Sequence, residues 1–547
     1  MNEEKSWKSA VCAVIKEAAF FLALLFVTLL LFLTVKPLIE LKDAGVRVGV
    51  VAQSMIAVAL TACGAVAAYW VLNKKITARR LITLLFIAGI VLRVGYMLYT
   101  SAATRQQDTY TANFDGHEAY AWTIFSTGKL PSTNDYQFYH PPLNALVQAG
   151  FMHFISWLTG LFSFGDYFPS AFLYAKPDYI DGMRWFLYSS CQVLSVVYSV
   201  AACVGMLKIL RLFGFSGKTR VLAAAFVVLF PRNIQFSGML NNDGLSFALS
   251  VFALYFALKW QKNGRSFADI LLCALCVGLG MMTKLSSATV CLPIAGIFLL
   301  EFFDTVGKRE GAMDFWDMAL QYASFLLVCA PLGLWFQVYA NLRFDQSFGH
   351  VFSNLNHKLY TGDHSFFSRF ILCFDPSEYF GSLWCRPFEG NYYLFNYALR
   401  SSIFGEFAYW QGEGFGVAAV LSAYLGCILL FIALVYCGVA WWKSRKKPRL
   451  LGAEGGVISL KDFLFTFLLV QSQVLSEIVF YIQMPYGCTM DFRYIMPLIL
   501  GIALMLAYAQ KSLVSIGTQT AVALEKWLTV TVSVFLASSA LFYCVCI

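Results

Sequence analysis

Apolar runs of 18 or more residues recur from one end of this chain to the other, and each is long enough to cross a hydrocarbon layer of roughly 30 Å as a helix. Most of them show neither the alternation of a half-buried strand nor the polar stripe of a soluble helix. In lipid the backbone polar groups must be satisfied within the segment itself, which leaves helices as the structure such runs can form. Only 13% of the 547 residues are charged, against about 25% in ordinary soluble domains. The expected fold is an all-α polytopic membrane protein with about 13 transmembrane helices.

Lysine and arginine orient the spans, because cytoplasmic loops carry an excess of both. Lys5, Lys8 and Lys16 precede the first run, and Lys-Pro-Leu-Ile-Glu follows it in place of a small-residue cleavage site. That pattern predicts an uncleaved first span with its N-terminus inside. Spans are expected at about 18–36, 48–72, 81–100, 185–207 and 221–238, one that follows the turn at Asn241-Asn242-Asp243-Gly244 and ends inside at Lys259, Lys262 and Arg265, two within 268–302, and one at 318–340. Further spans are expected at about 415–441, 463–483, 495–509 and 528–546. The strongest inside signal is Lys443, Arg445, Lys446, Lys447 and Arg449. The net charge of +9 is explained by these short basic loops, and no basic face interleaved with aromatics suggests nucleic acid.

Two long loops are left on the extracytoplasmic side, at 101–182 and 341–412. Loops of that length without a role are uncommon. The stretch 143–164 mixes apolar residues with His153 and Trp157, as an interfacial helix does. The expected organisation is an N-terminal accessory hairpin (1–79), a membrane domain (80–510) containing both loops, and a C-terminal transmembrane helix (511–547). The fifteen cysteines lie mostly inside apolar runs; of those in loops, Cys373 and Cys385 could be bridged, but spacing does not decide it.

The first long loop holds the most suggestive polar cluster. Asp115 and Glu118 open it, and Tyr139-His140-Pro141-Pro142-Leu143 closes the same segment. If 113–126 is helical, the two carboxylates share one face, and a carboxylate beside apolar surface can act as a general base. Asp115 could equally cap a solvated helix start. His140 could titrate or touch substrate, although two prolines also suit a rigid kink. Lys284 stands alone in a long uncharged stretch, where an ammonium either meets a phosphate or snorkels to the interface. Arg493, in Asp491-Phe492-Arg493-Tyr494, could clamp a phosphate or pair with Asp491. No nucleotide-binding loop is found, so a glycosyl or phosphoryl donor would have to arrive through the membrane.

Several elements occur in an order that resembles the C-type glycosyltransferase superfamily, specifically the ArnT-like and protein O-mannosyltransferase-like family 39 enzymes. They are Leu92-Arg93-Val94-Gly95-Tyr96, Asp115 with the Tyr-His-Pro-Pro-Leu element, and Pro231 followed by Asn242-Asp243. Gly278-Leu279-Gly280 then precedes Thr283-Lys284, and Arg400-Ser401-Ser402-Ile403-Phe404-Gly405 and Arg493-Tyr494 complete the series. The resemblance covers about 80–510 of the chain. It implies transfer of a sugar, with inversion, from a polyprenyl-phosphate donor to an extracytoplasmic acceptor, either a protein hydroxyl or a cell-envelope lipid or glycan. Asp115 would be the base, Glu118 a second carboxylate, and Lys284 and Arg493 the phosphate ligands. Tyr139, His140, Asn242 and Asp243 would shape the substrate site. No cofactor and no metal are implied. The absence of any Asn-x-Ser/Thr acceptor, with the ArnT-like character, favours a bacterial cell membrane with an extracytoplasmic active site. The alternatives are a multi-pass secondary transporter, which commonly shows internal repeats not seen here, and a non-catalytic lipid-binding relative.

Overall fold

The computed structural model describes residues 2–37, 48–102, 108–109, 113–161, 178, 180–307, 312–351, 359–372, 375, 392–405, 458–516 and 518–545. Span ten at 415–441, the basic cluster after it, Cys373 and Cys385 lie outside the described residues. Among the described residues no strand forms beyond an isolated antiparallel bridge between Tyr360 and Tyr486.

The helices in chain order are α1 (Asn2–Thr34), α2 (Val48–Leu72), α3 (Ala78–Tyr99), α4 (His117–Thr127), α5 (Leu143–Leu161) and α6 (Gly182–Ser190). Next come α7 (Gln192–Leu212), α8 (Gly217–Leu229), α9 (Pro231–Gln235), α10 (Asp243–Lys262), α11 (Phe267–Thr283) and α12 (Cys291–Gly307). The last are α13 (Ala312–Phe344), α14 (Leu394–Phe404), α15 (Leu460–Gln483), α16 (Leu498–Ile516) and α17 (Gln519–Val545). Hydroxyl and carboxylate caps mark several starts, as orphan amides require. Thr77 accepts from Arg80 N at 3.2 Å, Ser459 from Asp462 N at 3.1 Å, and Asp181 from Met183 N and Arg184 N.

Among the described residues nine helices are long and apolar enough to cross a membrane, or up to eleven if two bent pairs each count as one span. The expectation of about 13 is therefore not reached among the described residues, partly because apolar α11 is only 17 residues long. The chain is an integral membrane protein of helical, polytopic architecture. α5 is not among the helices apolar enough to cross.

The main core joins α3, α7, α8, α10, α11, α15, α16 and α17. A Cβ on Gly278 would fall 2.8 Å from Leu332 Cβ, so this glycine lets α11 close on α13. α1 packs on α7, while α2 lies at the periphery against α3 and α17. The Lys36 ammonium donates to Met97 O at 2.7 Å and Thr100 O at 2.8 Å, a cation placed on the negative end of α3 just where the chain leaves for the first long loop.

Both bent pairs break at proline, which cannot donate to the helix ladder. α8 meets the segment Pro231–Gly238 at 45°, and Gly487–Ile495 meets α16 at 59° just before Pro497. Irregular backbone at membrane depth is tolerated where it lines a cavity or is buried in protein. Both breaks lie at the end of the bundle opposite Lys259 and Lys262, the basic last turn of α10.

Candidate active site

That end of the bundle holds a cavity of about 410 Å³. Its walls come from the first long loop, the α10 start, the α11–α12 turn, α13, α15 and the broken segment before α16. Each wall delivers polar groups for a local structural reason.

In the loop, the carbonyls of Asp108 and Thr109 accept from His117 N at 3.0 Å and Glu118 N at 2.7 Å. These are first-turn amides of α4, which would otherwise lack partners. The same contacts press Asp108 against the cavity. Its carboxylate lies 3.4 Å from Arg493 Nη1 and 3.9 Å from His117 Nε2. Burial pushes the Asp108 carboxyl up, but Arg493 and then His117 more than offset this and hold it below the usual carboxylate range.

α4 begins only at His117, with Gly116 as its N-cap. Asp115 thus precedes the helix, and the expected shared face with Glu118 does not form. Main-chain geometry is the cause: the Asp115 carbonyl accepts from Gln137 N at 3.1 Å, tying it to the turn at Tyr136–Tyr139. Neither Asp115 nor Glu118 is among the residues lining the cavity. Glu118 is buried and takes a bidentate contact from Arg184, at 2.5 Å from Nε and 2.6 Å from Nη2. The Arg184 guanidinium in turn lies 5.1 Å over the Trp122 ring. Glu118 therefore braces α4 against α6. Hydrogen bonds to charged groups contribute about 1.5–3 kcal/mol, so Glu118→Gln should cost about 2 kcal/mol of stability. A lowered thermal midpoint with near-normal turnover per folded molecule is the expected result; lost turnover at unchanged stability would return Glu118 to the chemistry.

Tyr139 and His140 do line the cavity. Tyr120 Oη donates to His140 O at 3.1 Å, and the His140 ring stacks on Tyr139 and His117 at centroid distances of 4.0 and 5.9 Å. Burial, reinforced by Lys284, pushes the His140 imidazole well below its ordinary range. Burial also lowers His117, although Asp108 works against it. Both rings are neutral near pH 7.

Two cations line the same cavity. α11 ends at Thr283, so Lys284 turns into the cavity and pairs with Asp243 at the start of α10. Asp243 is steadied by Asn241 Nδ2 at 2.9 Å, and the Lys284 ammonium lies 4.6 Å over the Tyr494 ring. Arg493 donates its main-chain N–H to Asp491 at 3.0 Å and its Nη2 to Tyr494 Oη at 3.0 Å. The side chains of Lys284 and Arg493 are 10% and 9% exposed. Asn242 lines the same wall, whereas Asp243 sits behind it.

The structure thus brings together Tyr139, His140, Asn242, Lys284 and Arg493, with Asp243 supporting. Sequence reasoning missed Asp108, His117 and Glu477, all of which line the cavity. Asp108 was discoverable as an acid in the polar stretch straight after span three. Glu477 was discoverable as the sole acid in an apolar run, a costly placement that asks for a reason.

Residues 186–335 match the protein family described as Dolichyl-phosphate-mannose-protein mannosyltransferase. No curated protein matches the chain in sequence. Among solved structures, the apo form of ArnT from Cupriavidus metallidurans is 15% identical, covering 77% of this chain and 76% of that one with a TM-score of 0.34. The same protein bound to undecaprenyl phosphate is 16% identical over the same shares, with a TM-score of 0.32.

Proposed function

We propose that this chain is a C-type membrane glycosyltransferase, a reading its matched segment at 186–335 supports, and that it transfers a sugar from a polyprenyl-phosphate donor to a hydroxyl acceptor on the extracytoplasmic face. The supporting observation is a single one: Asp108, in contact with Arg493, and Lys284 line one cavity at the end of the bundle away from its basic turns. The acceptor is a protein hydroxyl or a cell-envelope lipid or glycan, and the membrane is a bacterial one.

The acceptor oxygen attacks the anomeric carbon on one face while the bond from that carbon to the phosphate oxygen breaks on the other, inverting the centre. Asp108 orients the hydroxyl and takes its proton. The polyprenyl phosphate leaves as a dianion, and the electron pair it retains is stabilised by Lys284 and Arg493. His140, Tyr139 and Asn242 shape the space between base and phosphate.

Purified protein in liposomes, given polyprenyl-phosphate sugars and a hydroxyl acceptor, should release polyprenyl phosphate in a time-dependent way. Binding without release from any donor would favour a non-catalytic lipid-binding relative, and vectorial uptake of a free solute would favour a transporter. Lys284→Met should weaken donor binding about tenfold to a hundredfold, the loss expected for one charge-assisted phosphate contact. Unchanged donor affinity would remove Lys284 from the phosphate site.

A further inference from the structure

Glu477 lies in the apolar run of α15, on the helix face where Ser476, Phe480 and Gln483 also line the cavity. The residue is 3% exposed, and neither carboxyl oxygen has a hydrogen-bond partner among the described residues. The other acids around the cavity are engaged. Asp108 meets Arg493, Asp243 meets Lys284 and Asn241, and Asp491 meets Arg232. Buried polar groups are nearly always satisfied, because burying one unpaired costs free energy with no return. A membrane helix that keeps such a group beside a cavity is holding it for something that enters the cavity.

What enters must supply hydrogen-bond donors. A phosphate has none to spare for these oxygens at neutral pH; the cations that suit it, Lys284 and Arg493, project from other elements. Sugar hydroxyls fit, since one carboxyl can accept from two neighbouring hydroxyls at once. The position also selects between donor and acceptor sugars. Val479, two residues on, lines the cavity and is 49% exposed, so the wall opens at this helix towards its outer, lipid-facing surface. A lipid-linked donor approaches from that side.

We infer that Glu477 reads the donor sugar, accepting hydrogen bonds from its hydroxyl groups and discriminating against sugars that lack them. This rests on the transfer reaction proposed above. Sites built to hydrogen-bond a substrate hydroxyl reject analogues without it far more strongly than apolar pockets reject a change of shape.

The test measures binding of polyprenyl phosphate, of the same lipid carrying a hexose, and of its deoxy-hexose counterparts, to wild type, Glu477→Gln and Glu477→Leu. Glu477→Leu should bind the sugar-free lipid within about twofold of wild type and lose about 100-fold for the hexose-bearing donor. Glu477→Gln, which keeps an acceptor oxygen, should lose less. At least one deoxy-hexose donor should bind wild type more weakly and lose nothing further in Glu477→Leu. The thermal midpoint of Glu477→Leu should be unchanged or raised, because an unpaired buried carboxyl has been replaced by an apolar group. Equal losses for sugar-free and sugar-bearing lipid, a lowered midpoint, or unchanged binding of both would overturn the assignment. A wild type that binds the hexose donor but never releases polyprenyl phosphate would overturn the transfer reaction instead, while the sugar-dependent difference in binding would still stand.

Discussion

Asp108→Asn is expected to bind a polyprenyl-phosphate sugar as wild type does and to turn it over at least about 1,000-fold more slowly, within the range that general-base catalysis supplies. Asp115→Asn, measured beside it, should keep most of its activity. The contrast follows from placement: Asp108 lines the cavity 3.4 Å from Arg493, whereas Asp115 holds a turn through its main-chain carbonyl. Because Arg493 and His117 lower the Asp108 carboxyl despite its burial, it is a weak base. In the proposed reaction it would orient the acceptor hydroxyl and accept its proton late, as the bond to the anomeric carbon forms. The pH profile has a definite sign. A lowered carboxyl stays ionised as pH falls through the ordinary value near 4, and the lowered His117 and His140 stay neutral through the ordinary value near 6.5. The rate should show no acid limb at the ordinary imidazole value near 6.5 and should lose its carboxylate-dependent part only below the ordinary carboxylate value near 4. An acid limb near pH 6.5, or inactivation by Asp115→Asn with Asp108→Asn active, would transfer the base role to another group.

The membrane architecture was legible because hydrocarbon length and loop charge act locally along the chain. Lys284 was legible for the same reason: a lone cation in an apolar run has few explanations, and the structure puts it at the helix break the sequence implied. Which acid lines the cavity was not legible, because that depends on distant contacts. Asp115 sits in the richer polar cluster, but the amides of His117 and Glu118 draw the chain at Asp108 inward, and no local pattern announces that bond. Glu118 looked catalytic as an acid near Asp115; its partner Arg184 is 66 residues away in sequence. Spacing shows which side chains could meet on one helix. It does not show which acid has already been claimed by a cation from elsewhere.

Asp491→Ala is expected to be the most destabilising single change, at about 3–5 kcal/mol, because it strands a buried guanidinium. Arg232 Nη2 meets Asp491 Oδ2 at 2.6 Å with side chains 1% and 0% exposed, and Arg232 also lies 5.6 Å over Phe236. The motifs that recur in order without touching the cavity converge here. Pro231 starts the short helix that carries Arg232, Ser401 Oγ accepts from Phe492 N at 2.9 Å, and Gly405 leaves room for the guanidinium where a side chain would collide with it. Asp491 also accepts the main-chain N–H of Arg493, so one carboxylate fixes both broken helices and orients Arg493. The double variant Arg232→Met/Asp491→Leu should recover much of the lost stability, since apolar groups of similar volume often replace a buried ion pair at little cost. Its turnover should stay low, because Arg493 has lost the group that orients it. Unfolding midpoints and donor turnover of the single and double variants check both halves. A double variant no more stable than Asp491→Ala would mean that the pair is not what destabilises the single variant, and one with full activity would show that Arg493 needs no aiming.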